Sequence, residues 1–254
     1  MIDSHCHIND PAYINHPEQY VNEAKEAGVD ILLVIGYDLK SSVEAVEIAN
    51  KFEGVYAAIG VHPSEVKKMA KNDLKEIEKL AKDKKVVAIG EIGLDFYWDK
   101  DTIVQNEQVE YFEYQIDLAN KLKLPIVIHS RDASEATLKV LQKHKPHHGG
   151  IMHCYAGSLE MVKDFEKLGL LFGFGGVVTF KNALKAKEVV KNIDRNLYVL
   201  ETDAPYLAPT PHRGELNHSK YLPLIAKEIA NLRGTSIDEV IKDSDANFKR
   251  VFKI

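Results

Sequence analysis

The sequence predicts an α/β fold, a single (β/α)₈ TIM barrel spanning residues 1–254 with its chemical site at the C-terminal ends of the strands. Two observations predict it. Short apolar runs rich in β-branched residues alternate with stretches of helical periodicity along the whole chain. Histidines and carboxylates then fall where those runs end, which in this fold is the face that carries active sites.

The apolar runs are Met1–His7, Asp30–Gly36, Val55–Val61, Val86–Glu91, Pro125–Ser130, Gly150–Tyr155, Leu170–Gly175 and Leu197–Thr202. Between them the 3.6-residue period predicts helices over Pro17–Ala27, Ser41–Phe52, Asp73–Lys82, Asn106–Leu122, Ser134–His144, Leu159–Leu168 and Lys181–Lys191, and after the last run over Leu222–Leu232 and Asp243–Phe252. Strands alternating with helices pair in parallel through right-handed crossovers. The runs are apolar throughout rather than alternating, as expected of parallel strands covered on both faces. An open doubly wound sheet is the competing arrangement. No GxGxxG or P-loop follows any run, which weakens its nucleotide-binding form.

Composition sets outer bounds. At 254 residues, with 45% hydrophobic and 28% charged residues, the chain matches a soluble globular protein long enough to bury a full core. The start MIDSHCHIND lacks the basic and apolar segments of a secretory signal, and no apolar run approaches the ~20 residues that cross a bilayer. The expectation is a cytoplasmic protein without a membrane partner and without an obligate protein partner. Cys6 and Cys154 are too few for a disulfide scaffold and read as buried free thiols. A net charge of −5 argues against coating nucleic acid with a basic face, though a local grip on a few phosphates stays open.

The polar residues at the strand ends are His5 and His7, His62, Glu91, His129, His153 and Asp203. Side chains two apart on a strand share a face, so His5 and His7 reach one point while Cys6 turns away. Neutral imidazole with carboxylate suits Zn²⁺, Mn²⁺, Fe²⁺ or Co²⁺, and Mg²⁺ less obviously. Four histidines and two carboxylates exceed what one tetrahedral ion needs. Two divalent metal ions are therefore expected, with Glu91, central in the strand order, able to bridge them.

Longer motifs carry a family resemblance. They are Asp3-Ser-His-Cys-His7, Gly60-Val-His-Pro63, Gly90-Glu-Ile-Gly-Leu-Asp95, Leu124-Pro-Ile-Val-Ile-His-Ser-Arg131, Met152-His-Cys-Tyr-Ala-Gly157, Val177-Val-Thr-Phe-Lys181, Glu201-Thr-Asp-Ala-Pro-Tyr-Leu-Ala-Pro209 and Arg213-Gly-Glu-Leu-Asn217. In this order and over nearly the whole chain, they closely resemble the TatD family of metal-dependent deoxyribonucleases among the amidohydrolase-like barrels. The resemblance implies that His5, His7, Glu91 and Asp203 hold one metal and Glu91, His129 and His153 the other. It implies that Asp203 positions and deprotonates the attacking water, that His62 and Arg131 contact phosphate or substrate, and that Arg213 and Asn217 add to the same cleft. His212 and the Asn217-His-Ser219 segment depart from the family pattern outside the metal residues, which leaves the expected chemistry intact and the substrate preference open.

The expected activity is hydrolysis of phosphodiester bonds, with removal of nucleotides from the 3′ end of single-stranded DNA and RNA as the other nucleic-acid substrate. An amidohydrolase acting on a small amide, lactone or cyclic urea is the rival enzyme, disfavoured by Glu91 at the fourth strand. A binding module with a structural metal is the rival class. At the rim, Arg131 reads as a phosphate clamp, Asp95 as a cap or hydrogen-bond acceptor, and Phe96, Tyr97 and Trp98 as loop packing or a surface for stacking a base.

Overall fold

A parallel sheet whose runs are apolar on both faces must be covered on both, and closing it into a barrel does this by filling the inside with side chains and the outside with helices. The computed structural model, which describes every residue except position 71, has this arrangement. Eight strands pair in chain order, all in parallel. They are β1 (Ile2–Cys6), β2 (Ile31–Ile35), β3 (Val55–Ile59), β4 (Val86–Asp95), β5 (Ile126–Arg131), β6 (Gly150–Met152), β7 (Leu170–Phe174) and β8 (Tyr198–Leu200). The helices are α1 (Pro17–Glu26), α2 (Leu39–Lys51), α3 (Asp73–Leu80), α4 (Thr102–Leu122), α5 (Ser134–Lys143), α6 (Leu159–Glu166), α7 (Leu184–Asn192), α8 (Leu222–Arg233) and α9 (Ile237–Phe252).

Alternation along the strands divides the core. Leu33 and Ile35 of β2 join Ala58, Val127, Ile151, Leu171 and Val199 inside the barrel, while Leu32 and Val34 face the helices. Phe248 and Phe252 of α9, stacked at 4.3 Å between ring centroids, belong to the interior cluster. Hydrogen bonds hold α9 to the strand starts, from the Ile2 amide to Asp245 (3.0 Å) and from the Asn247 amide group to the Tyr198 carbonyl (2.9 Å). This helix therefore covers the N-terminal mouth and leaves the other end for the site.

The sheet closes between β1 and the segment after β8. Cys6 and Ala204 form a parallel bridge, the Asp203 amide donates to the His5 carbonyl (2.9 Å), and the His7 amide donates to the Ala204 carbonyl (2.8 Å). Beneath the seam lies Asp3, fully buried, which accepts from the Thr202 amide (2.9 Å), the Thr202 hydroxyl (2.6 Å) and the Ser219 hydroxyl (2.6 Å). Burial raises the Asp3 carboxyl to about 6 against the pull of these donors.

Most elements shift by one to three residues at their ends, and three extend by four or more beyond their sequence-based bounds, each for a local reason. The fourth strand continues past Glu91 to Asp95, because Gly90 and Gly93 interrupt the apolar pattern without ending the pairing. Helix α4 begins at Thr102, where Asp101 accepts from the Ile103 amide. Helix α9 begins at Ile237 through a Ser236–Glu239 capping box, ahead of the predicted Asp243. Among the described residues no helix is long and apolar enough to cross a membrane.

His218 gives the fold a pH dependence. Its ring stacks on Tyr20 at 3.8 Å and its Nδ1 accepts from the Lys220 amide (3.0 Å). Burial, reinforced by the Lys220 charge, lowers its pKa from 6.5 to about 4. The unfolded chain then takes up a proton that the fold refuses, so stability is intact above pH 6.5 and falls as the pH drops toward 4. The loss across that window is about 3 kcal/mol. Urea unfolding of the wild type and of His218→Asn, which retains a capping acceptor, should diverge between those pH values and run parallel above them.

Candidate metal centre

The strands deliver the site residues by their ends. His5 and His7 flank Cys6 on β1, and Cys6 packs in the outer core with its thiol on the Leu33 carbonyl (3.5 Å). Both cysteines are free thiols, Cys6 buried and Cys154 half-buried. Glu91 lies where the register of β4 against β5 shifts, between Ile89 and Ile92, a bulge of the kind that re-aims a side chain. A Cβ at the preceding residue, Gly90, would press on the backbone of Val127, so only glycine permits this approach. Asp203 takes a left-handed backbone conformation (φ 57°), which aspartate tolerates better than most side chains.

At the centre is the Glu91 carboxylate, with imidazole nitrogens on both its oxygens. Oε2 faces His5 Nε2 (3.5 Å) and His7 Nε2 (4.0 Å), and Asp203 Oδ1 lies 3.6 and 3.5 Å from the same two nitrogens. Oε1 faces His129 Nδ1 (3.0 Å), His153 Nε2 (3.5 Å) and His62 Nε2 (3.6 Å). Ligand atoms about 2.0–2.2 Å from a tetrahedral ion sit roughly 3.3–3.6 Å apart, so these separations suit shared cations. Three sets of donors each converge within 4.8 Å: His5, His7 and Asp203; His5, Glu91 and His153; His62, Glu91 and His129.

The chemistry of the donors fits metal as well as their spacing does. His5 Nε2 and His7 Nε2 approach to 3.3 Å, and the His5 and His153 rings stack at 3.7 Å. Such crowding of basic nitrogens is relieved by a cation between them. Burial pushes the Glu91 carboxyl up, yet His62, His153, His129 and His5 outweigh it and hold it well below the usual range. Burial likewise opposes ionisation of Asp203, and His153, His7 and His5 overcome it. Burial also disfavours a charged His153, but Glu201, Glu91 and Asp203 draw it up to about 10. His62 goes the other way, lowered to about 3 by burial and by the charge of His129. Among the described residues Glu91, Asp95, Glu201 and Asp203 have only histidines as charge partners. Bound divalent ions would take over the positive charge that the imidazoles give up when they become neutral ligands.

Behind the donors, a further set of groups fixes the rings. Asp95 Oδ2 lies 3.1 Å from His129 Nε2, and Glu201 Oε1 lies 3.4 Å from His153 Nδ1 while accepting from the Cys154 amide at 2.6 Å. His7 Nδ1 meets the Ile35 carbonyl (3.1 Å), and His62 Nδ1 meets the Ser64 hydroxyl (2.8 Å). Carboxylates and carbonyls behind metal-binding imidazoles set tautomer and orientation in this way. Glu201 escaped the sequence reading although it lies two residues before Asp203, the same spacing that marked His5 and His7. Gly173 makes room for it, since a Cβ there would overlap its carboxylate.

His7, His62, Glu91, His129, Arg131, His153 and Asp203 line a cavity of about 500 Å³, to which Tyr37, Ser64, Glu65, Tyr206 and Leu207 contribute walls that the motifs did not single out. Two expected cleft residues lie elsewhere. Arg213 is exposed and stacks its guanidinium on Phe180 at 3.7 Å. Asn217 is fully buried and donates to the carbonyls of Thr202 and Tyr206, both at 2.6 Å. It pins the segment around Asp203, which explains an asparagine there without a substrate.

A (β/α)₈ barrel with histidines and carboxylates converging at the C-terminal strand ends defines a metal-dependent hydrolase. Comparisons give the family. The family model for TatD related DNase matches residues 2–253. The metal-dependent hydrolase YabD of Bacillus subtilis is 40% identical over 255 residues, covering 100% of this chain and 99% of its own. The metal-dependent hydrolase TatD of Mycobacterium tuberculosis is 31% identical, covering 99% and 97%. The crystal structure of YjjV, a TatD homologue from Escherichia coli, superposes with a TM-score of 0.94 at 28% identity, covering 100% of this chain and 98% of that one. The chain belongs to the TatD family.

Truncating Asn217 to alanine strands the buried Thr202 carbonyl and the part-buried Tyr206 carbonyl and should cost about 2–4 kcal/mol. Arg213→Ala removes one exposed stacking contact, of about 0.5–1 kcal/mol. Urea midpoints of the two variants test the assignment, and an unshifted Asn217→Ala would contradict it.

Proposed function

We propose that the chain hydrolyses phosphodiester bonds, with His5, His7, Glu91 and Asp203 holding one divalent ion and Glu91, His129 and His153 a second. The observation that carries this reading is the division of labour on Glu91, one oxygen toward His5 and His7 and the other toward His129 and His153. His62 also points Nε2 at Oε1, so it stands at the edge of the second set as well as in the cavity wall. The chemistry that bound divalent ions supply at such donors is polarisation of a phosphoryl oxygen and acidification of water.

The protein's own groups do the rest. Asp203, held ionised by the imidazoles around it, accepts the proton of the attacking water on a carboxylate oxygen. That water's oxygen forms the new bond to phosphorus as the bond to the sugar oxygen breaks, and the departing sugar oxygen takes up a proton from solvent to leave as a hydroxyl. Arg131, in the cavity wall, engages a non-bridging phosphate oxygen, and its fork of donors suits that group. A cavity of about 500 Å³ at a barrel mouth admits a strand end more readily than a continuous duplex. DNA with a free single-stranded end, cut from 3′ to 5′, is thus the substrate this reading favours, and RNA is the closest variant of it. The family model's description as a DNase supports the same choice.

A panel of single-stranded DNA, duplex DNA, RNA and small amides or lactones, each with added Zn²⁺, Mn²⁺, Co²⁺ or Mg²⁺ and with chelator, tests the reading. Single-stranded DNA should be hydrolysed from its end, chelation should abolish turnover and metal should restore it. Turnover of amides or lactones but no nucleic acid would reject the proposal. Asp203→Asn should lower kcat at least ~100-fold, the low end for a lost general base. Its metal content must be measured alongside, and retained metal with near-normal kcat would remove Asp203 as the base.

A further inference from the structure

The loop after β4 carries an exposed aromatic pair that the chemistry above does not use. Trp98, the chain's single tryptophan, is 69% exposed and Tyr97 44%. Their rings meet edge to face at 4.8 Å, and the Arg131 guanidinium lies 4.1 Å from the Tyr97 ring centroid and 5.5 Å from that of Trp98. Contiguous exposed aromatics, unlike single ones, mark recognition surfaces, and a guanidinium laid over them is held flat for a second planar partner.

The pair is fixed to the metal centre through Asp95. One oxygen of that carboxylate accepts from the Tyr97 and Trp98 amides (3.0 and 3.1 Å), and the other lies 3.1 Å from His129 Nε2. Arg131 is bound into the same unit, since its carbonyl accepts from the Phe96 amide (2.9 Å) and it pairs in register with Asp95. Tyr97, Arg131, His129 and His153 together line a cavity of about 560 Å³, to which Lys185 also contributes. A planar group against Tyr97 and Arg131 is therefore continuous with the space beside His129, His153 and Asp203, and Trp98 adjoins it through its edge-to-face contact with Tyr97.

We infer that Tyr97, Trp98 and Arg131 form a stacking subsite for an unpaired nucleobase next to the phosphodiester being cut. The inference rests on the phosphodiesterase reading for what lies at the metals, but its own basis is the aromatic pair. Arg131 serves both halves of the ligand, its face toward the rings and its N–H edge toward phosphate. Nucleic acid fits better than an apolar protein partner because the aromatics are accompanied by cations, with Lys100 Nζ 5.7 Å from the Tyr97 ring centroid and Lys185 in the lining of the same cavity. Duplex bases hide their faces in the stack, so the ligand is single-stranded.

Because Trp98 is the only tryptophan, its fluorescence reports this place alone. Metal-loaded protein would be titrated with phosphorothioate-linked oligo-dT, a blunt duplex and an abasic oligomer of equal length. The single strand should quench Trp98 saturably, and the other two should not. Affinity for end-labelled oligo-dT should fall about 5- to 100-fold in Trp98→Ala and largely return in Trp98→Phe, from the usual contribution of one stacked base. The side chain is exposed, so folding is not at stake. Equal affinity of wild type and Trp98→Ala overturns the subsite. Hydrolysis of unmodified oligo-dT separates it from the parent reading. If wild type and Trp98→Ala cut and bind alike, the subsite falls and the phosphodiesterase stands. If quenching and the variant's loss appear without cleavage under any metal, the subsite stands and the phosphodiesterase falls. No binding at all by wild type removes both.

Discussion

An ionised carboxylate shut away from water is expensive unless opposite charge or hydrogen-bond donors surround it. Glu91 is 4% exposed, and the groups around it are imidazoles, which become metal ligands only when neutral. The geometry at the barrel mouth follows from that constraint. Each oxygen of Glu91 faces its own cluster of nitrogens, Asp203 closes one cluster, and Asp95 and Glu201 steady rings in the other. Carboxylates accumulate because cations are expected among them, and histidines sit close together because a cation can lie between. With metal bound the site would be balanced, whereas its protein groups alone carry mismatched charge.

The barrel seam ties this electrostatic unit to the fold. Asp203 reaches His5 and His7 because the backbone after β8 hydrogen-bonds to β1, and Asp3 and Asn217 brace that junction from within. Closing the sheet and assembling the His5–His7–Asp203 set are one event. On the opposite side, β4 and β5 run two residues or more beyond the barrel layer, and their extension carries Asp95, Arg131 and the aromatic loop. The mouth thus has one side for charge balance and another for contact with a ligand.

Much of this was legible in the sequence because the physics involved is local. Eight apolar runs and their intervening helices were recovered in order, since burial on both faces leaves a clear mark on parallel strands. The residues at the run ends were selected because strand direction alone fixes where they go, and the structure brings His5, His7, His62, Glu91, His129, Arg131, His153 and Asp203 to one place. What was missed depends on contacts between distant segments. Glu201 looked like the end of an apolar strand until Gly173, on its neighbour, was seen to make room for it. Arg213 and Asn217 lie in one motif that the resemblance assigns to the cleft, yet one stacks on Phe180 outside the cavity and the other is a buried strut, a difference that chain order does not encode. The capping box that starts α9 at Ile237 stands in the sequence, but the face buried over its first turns is partly polar, with Ser244 between Val240 and Phe248, so apolar periodicity alone does not reveal the start.

The central claim is that Glu91 serves two ions at once, and metal stoichiometry tests it most directly. Elemental analysis of purified wild type, Glu91→Gln and His153→Ala, loaded with the same divalent metal and confirmed folded by circular dichroism, should give a pair of ions per chain in the wild type. Glu91→Gln should lower occupancy of both, and His153→Ala should empty chiefly one. A single ion in the fully loaded wild type, or loss of the same single ion in both variants, would contradict the account.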